Sequence, residues 1–186
     1  MSKFFLLKIA VMVILITGCE KTKESISQSN NESNSVAKEV ILTLEFKNKV
    51  NDIFKVYYSD DPTLEITGEN VINKYVFTKG NDFQIVEFKF PIGEKPYKLR
   101  LDLGVNQSST DITIKDITIK YDNKIIDGND GLFLNYWGAN QSLVWNNVDY
   151  FYSIVPYNGS KIPTLISNPD LDKELLNLFE SNNKNE

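Results

Sequence analysis

Histidine is absent from all 186 residues, and cysteine occurs once, as Cys19. Without histidine there is no Ser-His or Cys-His couple and no imidazole metal site. With one cysteine there is no intrachain disulfide, so the fold rests on its apolar core. Basic residues are also short, 20 Lys+Arg against 25 Asp+Glu, and they form no cluster. An acidic surface repels phosphate backbones, so nucleic acid is not an expected partner. Long apolar runs are missing too. Ile9 to Ile16 is the main uncharged apolar stretch, well short of the roughly 20 residues that a spanning helix needs.

That short run has a recognisable setting. Lys3 and Lys8 give a positive start, the apolar core follows, and Thr17 and Gly18 lead into Cys19. Charge, short apolar core and small residues in this order make a secretory signal peptide over residues 1–18. Ile16-Thr17-Gly18-Cys19 resembles the lipobox of bacterial lipoproteins. The resemblance implies a thioether-linked lipid on Cys19, cleavage before it, and acylation of the new amino terminus. Each buried methylene contributes about 0.8 kcal/mol, and two or more acyl chains make a stable anchor. The expected address is the cell envelope, with the membrane as partner through the lipid. Glu20 stands where inner-membrane retention signals carry aspartate, which favours an outer membrane where one exists.

Residues 19–38 hold almost nothing to bury. Glu-Lys-Thr-Lys-Glu-Ser-Ile-Ser-Gln-Ser-Asn-Asn-Glu-Ser-Asn-Ser cannot offset its ordering entropy and reads as a flexible tether, with a mean reach of roughly 20–25 Å. Residues 39–180 form one domain of ordinary size, and 181–186 read as a disordered tail.

The domain is expected to be mainly β, an antiparallel sandwich with a short C-terminal helix. Val40, Leu42, Leu44 and Phe46 alternate with other residues, as do Tyr97, Leu99, Leu101 and Leu103. This is the period of a strand with one buried face. Ile53–Tyr58 is a further strand in which Tyr57 and Tyr58 point to opposite faces. Val71–Phe77 and Phe83–Phe90 flank Thr78-Lys-Gly-Asn-Asp82, which reads as a hairpin loop. In Ile112–Tyr121 the parity breaks: Ile112 and Ile114 fall on one face, Ile117 and Ile119 on the other. A bulge near Lys115-Asp116 restores a single buried face. Asp122-Asn123 then turns the chain into Lys124-Ile125-Ile126, and Val148, Tyr150, Tyr152 and Ile154 suggest a later strand. Asn168 as cap, Pro169 at the first helical position and the stripe Leu171, Leu175, Leu178 mark the helix. That stripe either packs on the sandwich or docks a partner.

Tyr97-Lys-Leu-Arg-Leu-Asp-Leu-Gly104, a polar loop, and Asp111-Ile-Thr-Ile-Lys-Asp-Ile-Thr-Ile119 resemble the closing strands of jelly-roll, galactose-binding-like carbohydrate-binding modules. The resemblance covers roughly residues 40–121 and implies a jelly-roll-like fold with a glycan or another surface ligand. It transfers no ligand residue position by position, and residues 122–180 run past the usual final strand.

Leu132 to Asn147 carries both tryptophans amid amides. Sugars present C–H faces that stack on rings and hydroxyls that pair with amides. Tyr136, Trp137 and Trp145 are candidate platforms, and Asn140 and Gln141 candidate orienting groups. The commoner outcome for aromatics at strand spacing is to fill a sandwich core. Asp127, Asn129 and Asp130 place hard oxygens in a glycine-rich turn able to hold calcium, although Asp-Gly is ordinary turn chemistry and the spacing is not that of an EF-hand. Neither a cofactor nor a metal is expected on this showing. Asp60, Asp61, Asp102, Asp116 and Asp130 supply carboxylates, but no spacing singles out the pair that a glycosidase needs. The expectation is therefore a non-enzymatic envelope lipoprotein that binds glycan or another surface ligand. Its rival is an envelope protein-interaction or assembly lipoprotein without sugar binding.

Overall fold

Val40, Leu42, Leu44 and Phe46 are all fully buried in strand β1 (Val40–Asn48), with half-exposed residues between them. The burial of each such side chain stabilises the fold by about 1.5–3 kcal/mol. β1 lies between β4 (Gln84–Lys89) and β6 (Asp111–Tyr121), followed outward by β10 (Phe151–Ile154) and β9 (Leu143–Asn146). The short β7 (Lys124–Ile126) also pairs with β6. The second sheet runs β3 (Val71–Val76), β2 (Asp52–Ser59), β5 (Lys98–Asp102), β11 (Thr164–Ser167) and β8 (Trp137–Ala139). All these pairs are antiparallel. The computed structural model describes residues 38–159 and 161–180. The expected signal peptide, Cys19, nearly all of the tether and the 181–186 tail lie outside the described residues.

The two sheets close on one apolar core, giving the expected jelly-roll-like sandwich. Phe46 of one sheet meets Phe54 of the other with ring centroids 4.9 Å apart. Tyr58 is buried and Tyr57 half-exposed, with the Arg100 guanidinium 5.1 Å above the Tyr57 ring.

The parity break in β6 is a bulge. Glu45 faces Asp116 and Phe46 faces Ile114, so Lys115 has no partner on β1. On either side of it Ile112, Ile114, Ile117 and Ile119 all reach the core. The two-residue turn Asp122-Asn123 joins Tyr121 to Lys124, with Asp122 at positive φ.

Two expectations need correction, and one strand went unread. Thr78–Asp82 is not a hairpin loop: β3 pairs with β2 and β4 with β1, so the segment crosses between sheets. Thr78 ties it to the β1–β2 connection, donating its hydroxyl to the Asn48 carbonyl (2.8 Å) and its backbone N–H to Asn51 Oδ1 (2.8 Å). Turn chemistry is local, whereas the choice of neighbour is not. Val148 and Tyr150 belong to a turn ahead of β10, where Asn146 Oδ1 accepts the N–H groups of Val148 and Asp149 and Tyr150 adopts φ 56°. β11 has only four residues and went unanticipated, yet Leu165 is wholly buried in it.

Helix α1 (Pro169–Phe179) begins where Asn168 Oδ1 accepts the N–H groups of Asp170 and Leu171, both at 3.0 Å. Leu171, Leu175, Leu178 and Phe179 are buried, so the stripe is spent inside the molecule. Phe179 stands edge-on to Tyr97 (5.5 Å) and Tyr121 (5.1 Å), which lie at the ends of strands from opposite sheets. The helix thus closes one end of the sandwich. Lys124 Nζ donates to the carbonyls of Asn177, Leu178 and Glu180 (2.9–3.1 Å), placing a cation at the negative helix end.

Candidate functional site

The aromatic-amide stretch divides between the two sheets. Trp137 opens β8 in the second sheet and is 4% exposed. It is a core residue, which corrects its reading as a sugar platform. Tyr136 is half-buried against the same core, and its carbonyl accepts the N–H of Asn168. Asn140 is held inside a turn: Nδ2 donates to the Ile162 carbonyl, and Oδ1 accepts from the N–H groups of Ser142 and Thr164. That work binds the turn to β11 and leaves Asn140 poorly placed to orient a ligand. Gln141 is exposed and does not line the groove that Trp145 lines.

Trp145 belongs to a different place. On β9 it packs at 4.9 Å from the ring of Tyr152 and 6.3 Å from that of Tyr150, and it stays half-exposed. It lines a groove of about 460 Å³. The groove exists because of how β6 is paired. β10 reaches only Asp111 and Ile112, and β7 only Ile119 to Tyr121. Among the described residues no strand covers the stretch between them on that edge, and the 3₁₀ segment Asn129–Asn135 lies there instead. Gly128 permits the approach. A Cβ there would collide with the Ile117 carbonyl oxygen and come within 2.9 Å of its carbon.

Phe133 buries itself to anchor the segment, while Leu134 remains 40% exposed. Tyr150 (67% exposed) and Phe83 (41% exposed) complete the apolar lining with Trp145. The bulge re-aims Lys115 toward the groove, where it donates to Glu45 Oε1 (2.7 Å) and lies 5.7 Å from the Phe83 ring centroid. Thr113 and Asp130 add a hydroxyl and a carboxylate. An apolar aromatic floor with a few polar groups at its margin suits a ligand that has both a flat C–H face and hydroxyls.

No family model, curated protein or solved structure matches this chain. The reading of the groove therefore stands on its own side chains.

The proposed calcium trio does not converge. Asp127 Oδ1 accepts both the backbone N–H (3.0 Å) and Nδ2 (2.7 Å) of Asn129, forming a tight turn. Asp130, at φ 54°, lines the aromatic groove instead. Asp127 and Asn129 share a separate cavity of about 270 Å³ with Asp116. Among the described residues no three acidic or thiol groups gather as metal ligands do. Burial holds the Asp116 carboxyl above the ordinary aspartate range against the pull of the Thr118 hydroxyl, and the charges of Asp127 and Glu45 add to the rise.

The remaining carboxylates serve the fold. Asp102 takes a two-pronged bond from Arg100 (2.8 and 2.9 Å) and the Thr164 hydroxyl (2.9 Å). Asp61 accepts the Thr63 hydroxyl and N–H, which hold it below its usual range. Asp52 accepts the N–H groups of Val105 and Asn106 and the Ser109 hydroxyl, shaping the loop after β5. A Cβ on Gly104, which sits at φ +127°, would collide with that carboxylate. Phe83, Lys115, Leu134 and Tyr150 were not legible as a group, because their shared location depends on the non-local pairing of β6. The parity break at Lys115 was the one signal pointing there.

Proposed function

We propose that this chain is a cell-envelope lipoprotein, anchored through lipid on Cys19, whose sandwich is a non-catalytic glycan-binding module. The observation that carries the glycan reading is the groove beside the β6 bulge, where Trp145, Tyr150 and Phe83 offer ring surface to solvent. A pyranose stacks its C–H face on Tyr150 and Trp145. Its hydroxyls meet Thr113, Asp130 and Lys115 at the margin. The buried carboxylates are occupied by backbone and side-chain donors, which supports binding in preference to turnover. Anchoring rests on the lipobox-like Ile16-Thr17-Gly18-Cys19, and the lack of an aspartate at position 20 favours an outer membrane where the cell has one.

Affinity electrophoresis in polysaccharide gels tests the binding, with wild type run beside Tyr150→Ala and Trp145→Ala. Retardation of wild type and its loss in both variants is expected. A folded wild-type protein that ignores every polysaccharide removes the glycan reading. The anchor is tested separately by metabolic palmitate labelling, which Cys19→Ser is expected to abolish.

A second reading has its own observation. Val144 on edge strand β9, Val148 in the adjoining turn and Leu132 are all exposed, a pattern that a protein partner would cover. Crosslinking in membranes then returns one stoichiometric partner, and capture is lost with Val144→Lys while sugar binding is absent.

A further inference from the structure

A second cavity, of about 310 Å³, adjoins the aromatic groove. Two features set them side by side. Thr113 lines both. Phe83 stands at the junction with Lys47 of the second cavity 5.3 Å from its ring centroid and Lys115 of the groove at 5.7 Å. Each space alone has the volume of a small-ligand pocket. Taken together along β6, the two offer room for more than one sugar ring.

The charges indicate what lies in it. Lys47, Lys49 and Lys115 face Asp111, Asp130 and Asp149. Lys49 is paired with Asp111 at 2.8 Å and Lys115 with Glu45 at 2.7 Å. With Glu45 the count is three lysines against four carboxylates, so no excess positive charge draws an anionic ligand, and the ion pairs present hydrogen-bonding edges. We infer that the two cavities form one extended site for a neutral linear oligosaccharide, one unit stacked on Tyr150 and Trp145 and the next held beside Asn81 and Lys49. This rests on the glycan reading and adds to it the length and charge of the ligand.

Calorimetric titration with neutral β-1,4-gluco-, β-1,4-manno- and chito-oligosaccharides of one to six units tests the inference. Affinity is expected to rise on the order of tenfold from one unit to three, the equivalent of about 1.4 kcal/mol from the second cavity, and then to level off. It is expected to stay constant between low and high salt, since a neutral ligand is not subject to ionic screening. Asn81→Ala and Lys49→Ala, both at exposed positions, are expected to erase the gain with length and leave single-unit binding unchanged. Binding of single units with no gain on lengthening overturns the extended site while the glycan reading survives. A steep loss of affinity with salt overturns the neutral ligand. Failure of every sugar to bind overturns the glycan reading and the extended site together.

Discussion

Replacing Gly128 by alanine adds one methyl group at the point where the groove's outer wall meets β6. The backbone there lies at φ −111°, which any residue adopts, so the cost is steric and not conformational. The new Cβ points into the Ile117 carbonyl, within 2.9 Å of its carbon, and reaches 3.1 Å from Asp116 Oδ1. Neither neighbour is the free end of a flexible chain: one is the backbone of a paired strand and the other a buried carboxylate. The 3₁₀ segment must therefore move outward. Overpacking of this kind costs about 1–3 kcal/mol, and movement threatens the bond from the Phe133 N–H to the Gly128 carbonyl (3.1 Å), worth about 1 kcal/mol more. Together the expected loss is roughly 2–4 kcal/mol. Gly131→Ala, three residues on, supplies the contrast. It meets no atom within 4 Å but sits at φ +83°, so its cost is strain of about 1–2 kcal/mol. Urea unfolding at neutral pH reads both. Gly128→Ala is expected to lower the midpoint more than Gly131→Ala and to weaken sugar binding through Leu134 and Asp130. A Gly128→Ala protein with wild-type midpoint and wild-type affinity refutes the claim that close approach at Gly128 builds the wall.

The other predictions concern the buried carboxylate, the helix and the tryptophans. Asp116→Asn is expected to stabilise the protein at neutral pH and to keep the Thr118 bond. The folded-state pKa of Asp116 is raised, so its destabilising charge is present above that pKa. Wild-type stability should gain on the variant as pH falls through it toward the ordinary aspartate value, visible as converging melting temperatures. Lys124→Ala removes three donors from the α1 carboxyl end and is expected to cost about 1 kcal/mol, read as faster amide exchange in the last turn; Lys124→Arg should recover part of it. Trp137→Ala empties core volume and is expected to cost about 3–5 kcal/mol, whereas Trp145→Ala is expected to cost less and, on the glycan reading, to remove binding. Acrylamide should quench the emission of Trp137→Phe, which retains Trp145, far more readily than that of Trp145→Phe.

What could be read from the chain follows from how local each signal is. Val40 to Phe46 alternate because one strand face is buried, and that pattern needs no knowledge of the neighbour. The β6 bulge was visible because Ile114 and Ile117 cannot share a face without an added residue. The α1 cap was visible because Asn168 and Pro169 act within one turn. Partner choice was hidden. Thr78–Asp82 has hairpin composition, but β3 pairs with β2 and β4 with β1, so the two strands join different sheets through partners distant in sequence. The tryptophans differ for the same reason. Both lie in short edge strands of neighbouring sequence, yet the 3₁₀ segment runs directly into β8 and Trp137 is sealed, while β9 borders the open groove. Composition marked the right stretch and could not say which ring would be sealed.

The groove owes its existence to places where the sheet departs from regularity. A continuous partner along β6 would have satisfied its edge and left no room beside it. Instead β10 and β7 stop short, and the backbone between them meets a 3₁₀ segment that only glycine at position 128 allows so close. The bulge turns Lys115 outward at that level, and the Asn146 turn throws Tyr150 into solvent at φ 56°. Each irregularity would be a weakness in an isolated sandwich: an unpaired edge, a bulge, a residue with a left-handed backbone. Placed together they set three aromatic rings and one lysine, Lys115, around the groove on a frame held by the Leu and Phe core of β1 and β5. The apolar alternation supplies the stability, and the breaks in it supply the open groove.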